Sequence, residues 1–69
     1  MEDIRDCKGR IACKVNAATG LVEVVYKRCK TSTQIPAGGT LRIERDGVVT
    51  IVTRSSDSAF HVESHVNAA

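Results

Sequence analysis

The sequence predicts an all-β fold, mainly a small antiparallel meander of about five to six strands arranged as an open barrel or a paired sheet. Three observations predict it. Two alternating apolar and polar runs meet at Asp46-Gly47, the pattern of a β-hairpin. A second pair of such runs flanks Asn16-Ala17-Ala18-Thr19-Gly20. The aromatic residues are only Tyr26 and Phe60, so Val, Ile and Leu must build the core, and that composition favours strands. At 69 residues the chain holds one domain, and a chain of that size buries only about 60% of its unfolded surface. Residues 1–54 read as a single β domain and 55–69 as a partly ordered C-terminal tail.

At the N-terminus, Asp6-Cys7-Lys8-Gly9 has Asp and Gly at the first and fourth positions of a type I turn, which folds Asp3 to Asp6 back on Arg10 to Cys13. This first strand is charged and reads as an edge. In the next hairpin, Val15 is expected opposite Val22 and Lys14 opposite Glu23, with Ala17 to Gly20 as the loop. The same register sets Cys13 against Val24 and Ile11 against Tyr26. Thr31 to Ile35 suits a strand, and Pro36-Ala37-Gly38-Gly39 is a turn.

For Leu41 to Arg54, a two-residue turn would pair Ile43 with Thr50 and Leu41 with Val52. A three-residue loop, Arg45-Asp46-Gly47, sets Ile43 against Val49 and Leu41 against Ile51, keeping apolar partners together; that is the expected register. The expected core is Ile11, Cys13, Val15, Val22, Val24, Tyr26, Leu41, Ile43, Val49 and Ile51. In the tail, alternation puts Phe60, Val62 and Val66 on one side and His61, Glu63 and His65 on the other. A short C-terminal strand suits this better than a short helix, because Val and His are mediocre helix formers. Residues 67–69 are expected to fray.

A formal charge of +2 with mixed signs makes no strong electrostatic case for nucleic acid or an anionic membrane. Cys7, Cys13 and Cys29 are an odd number at irregular spacing, so reduced thiols and a cytoplasmic location are expected. The N-terminus has no positively charged region followed by an apolar run. Cys7 and Cys13 are too far apart, and His61 and His65 too separated on a strand, for the usual zinc spacing; no metal and no cofactor are expected. Catalysis is not expected either, since no nucleophile motif or phosphate loop is present.

Lys8, Arg10, Lys27, Arg28 and Lys30 form the basic cluster, brought together if the second hairpin extends far enough to set Arg10 against Lys27. The same extension would bring Cys7 near Cys29. Val25, Val48 and Val52 then point away from the core and form an outer apolar interface. Ile35-Pro36-Ala37-Gly38-Gly39-Thr40-Leu41-Arg42-Ile43-Glu44, followed by Asp46-Gly47, resembles the end of swapped-hairpin transition-state regulators that dimerise on DNA. The resemblance covers about a third of the chain and lacks the short helix that such domains place between strands. It implies DNA binding as an alternative. The leading expectation is a non-catalytic module acting through protein contacts, as a homodimer or an accessory factor of a larger assembly. The alternative is a nucleic-acid-binding module that uses the basic hairpin end; no membrane or small-molecule partner is expected.

Overall fold

The computed structural model, which describes residues 1–67, is all-β, with seven antiparallel strands in two sheets and no helix among the described residues. The strands are β1 (Glu2–Arg5), β2 (Ile11–Asn16), β3 (Leu21–Tyr26), β4 (Cys29–Gln34), β5 (Thr40–Arg45), β6 (Val48–Ser56) and β7 (Ala59–Val66). One sheet runs β1-β2-β3-β4 and the other β5-β6-β7, each strand beside its neighbour in sequence. The shortest dimension is 16 Å, which suits two twisted sheets stacked about 10 Å apart.

Each connection follows from local chemistry. Gly9 donates to the Asp6 carbonyl at 2.9 Å, closing the first turn, and the Asp6 side chain accepts from the Lys8 and Arg10 amides. The second hairpin has the expected register, Val15 opposite Val22 and Lys14 opposite Glu23, with Gly20 at φ 82° ending the loop. The pairing stops there, however. Beyond Lys14 and Glu23 the β3–β4 hairpin separates from β2, so neither Cys13 with Val24 nor Ile11 with Tyr26 forms a ladder pair.

The β5–β6 register corrects the sequence reading. Ile43 faces Thr50 and Leu41 faces Val52, because Asp46 and Gly47 both have positive φ, 52° and 77°, and form a two-residue turn. Such a turn matches the twist of the flanking strands. The apparent mismatch at Thr50 is resolved by a 3.1 Å hydrogen bond between its hydroxyl and that of Ser64 on β7.

This register moves Val52 into the core at 0% exposure, beside Ile4, Cys13, Val15, Val22 and Ile35. Val24, Leu41, Ile43, Phe60 and Val62 pack against that cluster. Val48 is also buried, so the expected outer interface of Val25, Val48 and Val52 is reduced to Val25. Two members of the expected core are exposed instead, Ile11 and Tyr26, because the separation of β2 from β3 leaves their ends uncovered.

Residues 59–66 form the strand that alternation favours, pairing along β6 from Ala59 to Val66. Asn67 donates to the Gly47 carbonyl at 2.7 Å; the rest of the segment expected to fray, 68–69, lies outside the described residues.

Candidate protein-contact surface

A four-stranded sheet facing a three-stranded one leaves a strand without cover, and that strand is β4. All six of its residues pair with β3, from Tyr26 opposite Cys29 to Leu21 opposite Gln34, yet all six are exposed. Threonine suits this position, since its branched side chain favours extended backbone and its hydroxyl tolerates water.

The turn before β4 fixes which backbone groups face out. Lys27 and Arg28 have φ 47° and 68°, so they form a two-residue turn with Tyr26 and Cys29 as its flanking hydrogen-bonded pair. Antiparallel ladders alternate, so Cys29, Thr31 and Thr33 bond to β3 while Lys30, Ser32 and Gln34 turn their N–H and C=O groups away from it. A strand over Thr31 to Ile35 is legible in the sequence, but its start at Cys29 and the turn before it are not, because neither Lys27 nor Arg28 is a glycine. The signal was present in two strand-compatible runs separated by only two residues.

Beside the inner face of β4 lies a groove of about 300 Å³ lined by Val24, Thr31, Thr33, Leu41, Arg42 and Ile43. A second groove, about 290 Å³, opens beyond Val24 and Ile43 toward Val25 and Tyr26. The two share Val24 and Ile43, so a mainly apolar strip runs between β3 and the edge strand β5.

The other sheet edges are better defended. β1 is four residues long, carries Glu2, Asp3 and Arg5, and shifts register between Ile4 and Arg5. β5 carries Arg42, Glu44 and Arg45. β7 exposes His61, Glu63 and His65, and the turn after β1 reaches across to it, the Cys7 amide donating to the Ser64 hydroxyl at 2.9 Å. On β4 the sole charged side chain is Lys30, and its ladder with β3 has no bulge. Charges and bulges are the usual defences of an edge.

The expected basic cluster is divided. Arg10 lies between two carboxylates, with its Nε 3.1 Å from Asp6 and its Nη1 3.1 Å from Asp46. Lys30 is 3.4 Å from Glu23. Lys8 sits in the turn after β1, whereas Lys27 and Arg28 form the tip of the β3–β4 hairpin; none of these three makes an ion pair among the described residues. Tyr26 stands beside that tip at 42% exposure, with Lys27 Nζ 5.4 Å and the Arg45 guanidinium 4.9 Å from its ring centroid.

Burial of the Asp6 carboxyl pushes its pKa up, but hydrogen bonds from the Arg10 and Lys8 amides and the Arg10 guanidinium outweigh this and hold it below its ordinary value. Cys13 is pushed up to about 11 by burial. The thiols of Cys7 and Cys29 are exposed and all three cysteines are free. The separation of β2 from β3 removes the pairing that would have set Cys7 near Cys29. His61 lies 3.4 Å from Glu63, and no group of three or more metal-ligating side chains occurs among the described residues. No helix among the described residues is long and apolar enough to cross a membrane. No protein-family model, no curated protein and no solved structure matches the chain.

Proposed function

We propose that this chain is a non-catalytic β module that acts through protein contacts by adding an extended segment to the free edge of β4. The observation that carries the reading is the exposure of every residue of a strand that is fully paired on its other side. Main-chain bonding at Lys30, Ser32 and Gln34 would supply affinity without regard to sequence. Alternate side chains of the added segment would reach the groove at Val24, Leu41 and Ile43 and supply selectivity. A reducing compartment such as the cytoplasm suits a chain with two exposed free thiols.

The test is selection of binders from a random peptide display library, followed by mapping of amide chemical shifts at a protein concentration where the chain is monomeric. Binders with apolar residues at every second position, shifting Lys30, Ser32 and Gln34, support the reading. Binders that map elsewhere, or none at all, contradict it.

One observation favours a second reading. Tyr26, expected in the core, is exposed beside Lys27 and Arg28, and an aromatic ring flanked by cations at a hairpin tip suits a single-stranded nucleic acid. Retention on single-stranded DNA that falls with salt and is lost in a Lys27→Ala, Arg28→Ala variant would favour it over the protein-contact reading.

A further inference from the structure

We infer that the segment added to β4 is β4 of a second copy of this chain, paired antiparallel about a two-fold axis at Ser32. The inference rests on the reading of β4 as a contact strand, and the supporting feature is self-complementarity. With the axis at Ser32, each Lys30 faces the partner's Gln34, so all three outward residues of each strand pair with outward residues of the other. About six backbone hydrogen bonds result. Centring the axis on Thr33 would instead set Lys30 against Pro36, which has no N–H to give.

Side chains agree with the same register. On the outer face Lys30 meets a neutral Gln34, whose Nε2 is occupied by the Thr19 carbonyl at 3.2 Å, leaving its oxygen for the ammonium. On the inner face Thr31 meets Thr33, a favourable cross-strand pair. No like charges are set opposite one another: the cationic tip at Lys27 and Arg28 falls beside the neutral Pro36-Ala37 turn of the other copy. The two four-stranded sheets become one continuous sheet, and an isologous contact of this kind closes after two copies.

Proline at Ser32 isolates the contact. The Ser32 amide points away from β3, so Ser32→Pro removes an outward donor while leaving the β3–β4 ladder intact, and proline is tolerated on an edge. Sedimentation equilibrium of the full chain, up to about 1 mM, should show a concentration-dependent dimer. Ser32→Pro should weaken it at least about tenfold, whereas Ser32→Ala should leave it unchanged. Gln34→Lys should weaken it and Gln34→Glu should tighten it, and this opposed pair decides the matter should the proline variant fail to fold. A wild-type chain that stays monomeric throughout overturns the second copy as occupant, while the peptide mapping separately decides whether β4 is a contact strand. A dimer indifferent to Ser32→Pro, or one in which both Gln34 variants act alike, also overturns the inference.

Discussion

A β-carbon on Gly20 would lie 2.6 Å from Nη1 of Arg54 and 2.5 Å from the Ile35 carbonyl oxygen to which that nitrogen donates. The buried guanidinium gathers the turns at one end of the sandwich: Nη1 binds the Ile35 carbonyl at 3.1 Å and Nη2 the Asp57 carbonyl at 3.0 Å, with Ala17 and Ala18 carbonyls farther off. The backbone of Arg54 also exchanges bonds with Gly38 and Gly39, so the β2–β3, β4–β5 and β6–β7 loops are tied to one residue. This holds Ile35, at the end of β4, against the core.

Gly20→Ala should therefore destabilise the chain by at least about 2 kcal/mol, combining the cost of a positive φ with displacement of the guanidinium. Arg54→Met should cost about 2 kcal/mol or more, because the Ile35 and Asp57 carbonyls lose their donors. Urea denaturation followed by circular dichroism measures both.

Val52→Ala should cost about 2 kcal/mol by the same assay, since Val52 is fully buried beside Val15 and Val22. Val25→Ala, at an exposed site, should stay within about 0.5 kcal/mol. Equal effects would contradict the two-residue turn at Asp46-Gly47.

Acid should release the first turn. The Asp6 pKa is lowered in the folded chain, so its contribution is present above the ordinary carboxylate value of about 4 and is lost as pH falls through the folded value. Asp6→Asn should lower stability at neutral pH and remove that part of the loss below about pH 4, read as a flatter stability profile on the acid side.

Thiol labelling should divide the cysteines. Cys7 and Cys29 should alkylate in the native protein, while Cys13 should react only after denaturation, being 2% exposed with its pKa pushed up to about 11. Because folding favours the neutral Cys13 thiol, its contribution fades as pH rises from about 9, where an unfolded thiol ionises, toward 11. Mass spectrometry of intact labelled protein counts the adducts.

Much of the fold was legible where the chain punctuates itself. Gly20 and the Lys14–Glu23 pair fixed the second hairpin, and alternation from Phe60 to Val66 marked β7. The β5–β6 register was misread because pairing like with like ignored Ser64, which satisfies Thr50 from a third strand, and because the Asp46-Gly47 turn sets its own register. Arg54 carried no local sign of burial, since its acceptors come from four separate residues in three loops. The exposure of β4 was equally hidden. It depends on four strands facing three, which no short stretch of sequence encodes.

The most direct measurement is residue-resolved amide hydrogen exchange across β4 at low and high protein concentration. At low concentration Cys29, Thr31 and Thr33 should be protected and Lys30, Ser32 and Gln34 should exchange rapidly; at high concentration the second set should gain protection. Protection of Lys30, Ser32 and Gln34 in the dilute chain, or no alternation along the strand, would contradict β4 as an open edge poised for a partner strand.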